Sequence, residues 1–292
     1  MTMKTIKGRH AAHRDDIADL TTRRPVPGPQ IEQVDPFLFL NHHGPQVYPP
    51  GNRGLPFGPH PHRGFETVTF ILTGELAHRD SAGHESIIKE GGIQWMTAGK
   101  GLVHAEISPD DFMRRGGPLE ILQLWVNLPP PLKMVPPRYV GLQRDEIPAV
   151  PTPDGKGTVN LISGQWMGRD GAMQPLTDVF MSTVYLQAGG RVSFADVAGR
   201  NVFLYVARGS VRIAAEPAEQ YFLVELSDEG DTVDITAETD AVLLVGHAEP
   251  IGAPVVAYGP FVMNTREEIS EAIRDYQAGK FNDVPSDGAR AR

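Results

Sequence analysis

Residues 58–73 read GPHPHRGFETVTFILT, and this stretch decides the architecture. Thr67, Thr69 and Ile71 alternate with Val68, Phe70 and Leu72, so β-branched and aromatic residues recur with period two, and Gly74 supplies a turn at the end. That pattern predicts a strand. Just upstream, His60 and His62 stand two apart. On an extended chain, residues i and i+2 point to the same face. Pro61 keeps His60 extended, because the residue before a proline is driven away from the helical region. Both imidazoles are therefore expected to converge on one point.

Residues 94–108, QWMTAGKGLVHAEIS, repeat the device. Gly99 and Gly101 supply a tight turn, and His104 and Glu106 follow two apart on the next extended segment. Two such pairs on neighbouring strands present three neutral nitrogens and one carboxylate oxygen. This set suits a divalent transition ion: Fe(II), Mn(II), Ni(II), Cu(II) or Zn(II). A structural zinc site is usually closed, tetrahedral and Cys-containing, whereas four ligands around a six-coordinate ion leave positions open for substrate or dioxygen. A single His-x-His in a turn is commonly just solvated. Two pairs, each inside a glycine-punctuated β frame, are much harder to read that way.

The surrounding chain fits this picture. Its 31 glycines and 26 prolines are spread along its length, as expected for many turns between short strands and hence for an all-β fold. Two segments, about 35–127 and 176–260, share the same rhythm. When Gly74 is laid on Gly209 in NVFLYVARGSVRI, Glu66 falls on Asn201, His62 on Val197 and His60 on Ala195. The halves read as two copies of one barrel, of which only the first carries ligands. NLPPPLKMVPPRYV and IPAVPTPDGKG form a proline-rich connection. The expected division is an N-terminal barrel with the metal site at 1–135, a linker at 136–157, and a ligand-free barrel with a short C-terminal helix at 158–292. Thr265 and Glu268 form a capping box for that helix. Ile269, Ile273 and Tyr276 give it one apolar stripe, and Gly279 ends it. The last dozen residues read as a solvated tail.

Composition excludes several classes. There is no cysteine, so disulfides, thiolate catalysis and Cys-held zinc or iron–sulfur centres are ruled out. A net charge of −9 with no basic run speaks against direct nucleic-acid binding. No apolar stretch approaches membrane-spanning length, and the first residues lack the apolar core of a secretory signal. The expectation is a soluble cytoplasmic protein.

The stretches DPFLFL, HPHRGFETVTFILTGELAHRDS, QWMTAGKGLVHAE, LQLWVNLP and GPFVMNTREEI closely resemble the pirin family of the cupin superfamily, over nearly the whole chain from about Asp35 to Tyr276. The resemblance implies two cupin (jelly-roll) barrels, with a metal, usually iron, in the N-terminal one and a degenerate C-terminal one. It implies His60, His62, His104 and Glu106 as ligands, in agreement with the spacing, and a monomer. Some pirins cleave flavonols such as quercetin with dioxygen. This implies a metal-dependent quercetin 2,3-dioxygenase-like activity on a small aromatic substrate, in which Glu106 combines ligation with general-base work. Others are described as partners of transcriptional or metabolic proteins, which implies the alternative of a redox-dependent binding protein without turnover. A third reading makes the metal purely structural. In one respect the chain departs from the family: many members carry an acidic pair after DPFLFL, where this chain has Asn41, His42 and His43.

Other conspicuous residues read more plainly. Glu66 stands where many cupins place a ligand, but the pirin pattern uses Glu106, so Glu66 is expected to be structural or to orient a ligand imidazole. His42 and His43 read as surface-loop residues, and His78 and His84 as exposed flanks of a turn. Trp95, Met96 and Trp125 read as barrel core, and His247 as a satisfied core histidine.

Overall fold

The computed structural model describes residues 2–282. Strands dominate, and the α-helices among the described residues are Asp110–Arg115 and Arg266–Gln277. The chain forms two compact units that interleave in sequence. One gathers 15–22, 39–144 and 251–282, and the other gathers 2–14, 23–38 and 145–250. Both chain ends are thus placed differently from the linear division at 135 and 158. The N-terminal strand Ile6–Ala11 pairs along Phe222–Leu226, which closes an edge that would otherwise expose unpaired backbone. At the other end, Phe261 and Met263 share an apolar cluster with Ile269 and Ala272 of the C-terminal helix, and Val103 packs against it. A helix with one apolar face must bury it somewhere, and this one does so beside the strand that carries His104. Its capping box is present: the Thr265 hydroxyl accepts from Glu268 N at 3.1 Å, and the Glu268 carboxylate accepts from Thr265 N at 2.9 Å. Of the tail expected at the C-terminus, residues 283–292 lie outside the described residues.

The strands of the first unit are β1 (Phe37–Tyr48), β2 (Phe57–His62), β3 (Phe65–Thr73), β4 (Glu75–Asp80), β5 (Glu85–Lys89), β6 (Ile93–Thr97), β7 (Leu102–Ile107), β8 (Gly117–Asn127) and β9 (Arg138–Leu142). One sheet includes β9-β6-β3-β8-β1 in that order, and the other runs β2-β7-β4-β5. Ile71, Leu119 and Ile121 of the first sheet pack with Leu76 and Ile88 of the second at one end of the barrel.

The second unit repeats the plan. Its larger sheet includes Phe222–Leu226, Asn201–Arg208, Ala241–Ala248 and Val179–Leu186 in that order, and its smaller sheet includes Arg191–Ala195, Thr232–Ala237 and Ser210–Ile213. Gly74 and Gly209 end corresponding strands with φ of +90° and +78°, a conformation open mainly to glycine. Both units therefore have the cupin jelly-roll plan. The ladders fix the counterparts of the histidines. His60 lies directly opposite His104 in one unit, and Phe194 lies opposite Val233 in the other. The counterpart of His60 is thus Phe194 rather than Ala195, because the path from this strand to the glycine turn is one residue longer in the second unit.

Candidate metal centre

Antiparallel pairing of β2 with β7 brings the histidines together. His60 faces His104 across the ladder, and His62 faces Leu102. The ring centroids lie 4.4 Å (His60–His104), 4.9 Å (His60–His62) and 5.0 Å (His62–His104) apart. One potential ligand nitrogen from each ring lies within 4.8 Å of the other two. His62 and His104 are buried, and His60 is half-buried.

The tautomers follow from neighbouring carbonyls. His60 Nδ1–H donates to Gly58 O at 2.7 Å and His62 Nδ1–H to Pro260 O at 3.2 Å, so each ring presents Nε2 as an unprotonated donor atom. Both nitrogens of His104 are buried and have no hydrogen-bond partner among the described residues. An unsatisfied buried polar atom costs roughly 1–3 kcal/mol, and here it belongs to a ring facing two other imidazoles. Burial, then the neighbouring His60, pushes the His62 imidazole down to about 3. Burial, followed by His62 and His60, holds His104 well below the usual imidazole range. Three neutral imidazoles, one of them orphaned, suit a metal ion that supplies the missing partner.

Glu106 keeps its i, i+2 relation to His104 on β7, whose ladder with β4 is regular: His104 lies opposite Asp80 and Glu106 opposite His78. On the other side, against β2, the ladder slips between the two, so that Glu106 faces Phe57 rather than Gly58. The bulge falls at Gly58–Pro59, where the proline has no N–H to continue the ladder. Glu106 is buried and is not part of the three-histidine group. Its Oε1 accepts from the Thr69 hydroxyl at 2.8 Å and from the Gln94 amide, and its Oε2 accepts from the Gln123 amide at 3.0 Å.

The residues just after the histidine strand are pinned from several sides. Gly64 has φ +89°, and a Cβ there would sit 2.0 Å from Val262 O, so only glycine lets the C-terminal segment approach. The buried Lys133 ammonium donates to Gly64 O (2.8 Å), Val262 O (3.0 Å) and Asn127 Oδ1 (2.6 Å). Arg63 pairs with Asp275 of the C-terminal helix at 2.9 Å. These contacts position the strand that carries His62, and nothing in a reading of local spacing reveals them.

Several other expectations need correcting. His42 and His43 are not surface-loop residues: both are buried in β1, with His42 Nε2 2.9 Å from Glu120 Oε1 and His43 Nδ1 2.9 Å from Thr22 Oγ1. The strand simply continues through the polar run. His78 is not exposed either. It is buried against Tyr139 (centroids 4.1 Å, 13° between planes), with Nε2 3.0 Å from Asp80 Oδ2. His84, partly exposed, closes on the same carboxylate. Glu66 is on the opposite face of β3 from Thr69. It accepts from the Thr97 hydroxyl at 2.6 Å, and burial pushes its carboxyl up to about 7. Trp95 and Met96 are core, as expected. Trp125 is half-buried, stacked on Phe39 at 4.6 Å and 5.5 Å from the His62 ring. His247 is satisfied: it stacks on Phe180 and accepts from Arg200 Nε at 2.7 Å.

A β chain with one imidazole-bearing cupin barrel and one apolar copy is a bicupin with a single candidate metal centre. Residues 19–126 match the model of the pirin family, and residues 181–282 match that of the pirin C-terminal cupin domain. A pirin-like protein of Caulobacter vibrioides is 41% identical over 285 residues, covering 96% of this chain and 98% of that protein. A Pseudomonas aeruginosa protein whose name proposes it as a quercetin 2,3-dioxygenase is 38% identical over 250 residues, covering 86% of this chain and 87% of that one. The crystal structure of quercetin 2,3-dioxygenase from Acinetobacter baumannii superposes with a TM-score of 0.90 at 34% identity, covering 96% of this chain and 98% of that one. The chain belongs to the pirin family. Among the described residues, no helix is long and apolar enough to cross a membrane.

Proposed function

We propose that this protein is a metal-dependent flavonol dioxygenase of the quercetin 2,3-dioxygenase type, with one divalent ion held by His60, His62, His104 and Glu106. The observation that carries the reading is the group of three facing imidazoles, of which buried His104 has no hydrogen-bond partner among the described residues. Likeness to the Acinetobacter enzyme over nearly the full length supports the reaction class. Iron is the ion the family resemblance favours, whereas the donor set suits Fe(II), Mn(II), Ni(II), Cu(II) or Zn(II) alike.

Bound there, a divalent ion acts as a Lewis acid that lowers the pKa of a substrate hydroxyl and gives dioxygen a partner for electron exchange. The chain does the rest. The carbonyls of Gly58 and Pro260 fix the orientation of His60 and His62. Half-buried Trp125 and Phe39, stacked beside His62, offer a flat aromatic wall to a planar substrate. Glu106 Oε2, which accepts one hydrogen bond where Oε1 accepts two, is the oxygen that would ligate the ion and, once released from it, take the proton of the substrate hydroxyl.

The test is anaerobic reconstitution with Fe(II), addition of quercetin, then admission of oxygen, with loss of flavonol absorbance as the readout. His62→Ala is expected to be slower by at least ~100-fold, since losing a ligand should exceed the 10–100-fold typical of its outer partners. Equal rates in the two proteins would overturn the proposal.

A further inference from the structure

Gln94, Thr69 and Gln123 are direct ladder partners across β6, β3 and β8, so they form one row on the inner face of the sheet. All three aim at Glu106 of the opposite sheet and all are buried. The Gln94 amide also donates to Thr69 Oγ1 at 3.2 Å, and the Tyr139 hydroxyl donates to Gln94 Oε1 at 3.4 Å. This orients the amide with its N–H end toward the carboxylate. In the second barrel the corresponding row is apolar: Leu204 pairs with Val224 and Val245. There, Ile213 pairs with Ile235 where His78 pairs with Glu106. The carboxylate and its donors are replaced together, as expected if the row exists to serve that carboxylate.

Each carboxylate oxygen has two in-plane lone pairs. Thr69 and Gln94 use both on Oε1, whereas Gln123 uses one on Oε2. We infer that this row is a positioning device that closes Oε1, so that Glu106 ligates through Oε2 alone and two adjacent positions stay open for a chelating substrate. The inference rests on the reading of Glu106 as a ligand.

The test uses Fe(II)-loaded full-length protein without oxygen and 4-nitrocatechol, whose visible spectrum distinguishes a two-oxygen dianion from a one-oxygen monoanion. Wild type should bind it as the dianion. Thr69→Val/Gln94→Leu frees Oε1 to close on the metal, so catechol affinity should fall at least ~10-fold, with a monoanion spectrum, while iron affinity rises. Thr69→Ser, which keeps the hydroxyl, should behave as wild type. Should the double variant fail to fold, Thr69→Val against Thr69→Ser carries the test, with a shift of about threefold expected and identical values counting against the inference. A Glu106→Gln variant separates the layers. If it changes iron affinity while the row variants leave catechol binding untouched, the row has no such role and the ligand reading stands. If it leaves iron affinity unchanged, Glu106 is no ligand and both readings fall. A wild-type protein that takes the catechol through one oxygen also overturns the inference.

Discussion

The two barrels share a plan and differ in what fills it. In the first, Thr67, Thr69 and Ile71 point inward along β3; in the second, Val202, Leu204 and Val206 hold the same positions and join one continuous apolar cluster. His60 is matched by Phe194, His104 by Val233 and Glu106 by Ile235. A barrel of this size needs its interior filled, and apolar side chains do that without further requirements. Polar side chains do it only when each has a partner. The first barrel meets that condition for Glu106 through Thr69, Gln94 and Gln123, and fails it at His104. His104 is not alone in this, but its unpartnered nitrogens stand in the group of three imidazoles, which makes this the candidate metal site, and the second barrel fills the same plan without it.

The sharpest way to break the comparison is to give the first barrel the second barrel's residue at that position. His104→Val is expected to lower metal affinity by at least ~100-fold, read by competition with a chelator, while stability without metal changes by less than about 1 kcal/mol. A histidine that served the core would show the reverse pattern: intact metal binding and a large loss of stability.

The ligand histidines were legible because local geometry alone governs them. An i, i+2 pair on a strand, stiffened by Pro61, converges whatever the rest of the chain does. The copy relation was legible too, since Gly74 and Gly209 mark equivalent turns. The partners of Glu106 were not, because Thr69, Gln94 and Gln123 come from three strands of the opposite sheet, which spacing along β7 does not reveal. His42, His43 and His78 were misread for a related reason: their burial depends on Glu120, Thr22 and Asp80, partners that no local periodicity announces. The ends of the chain were misassigned because strand pairing and helix docking are decided by tertiary contacts.

A second exchange tests the polar row as a unit. Glu106→Ile alone leaves the donors of Thr69, Gln94 and Gln123 facing an apolar side chain and is expected to cost about 2–4 kcal/mol, since each orphaned buried donor costs roughly 1–3 kcal/mol and Gln94 and Thr69 partly satisfy each other. Adding Thr69→Leu, Gln94→Val and Gln123→Val, which copies the second barrel, should recover most of that loss in denaturant unfolding. If the fourfold variant is no more stable than the single one, the two interiors are not interchangeable solutions of one plan.

The smallest expected effect concerns the outer face of β3, where Glu66 corresponds to Asn201. Burial raises the Glu66 carboxyl to about 7 from 4.5, opposed by the Thr97 hydroxyl. A carboxyl whose folded pKa lies above its unfolded value binds its proton more tightly when folded. Its favourable contribution is therefore complete below pH 4.5 and is lost as pH rises toward 7. Between pH 5 and 7 the linkage amounts to about 2 kcal/mol. Glu66→Gln puts an uncharged amide here, as Asn201 does in the second barrel, and should remove that slope. The check is unfolding free energy at pH 5, 6 and 7 for both proteins. Wild type should fall across the series relative to the variant, and parallel curves would mean that Glu66 is ionised in the folded protein throughout, with solvent or a cation reaching it.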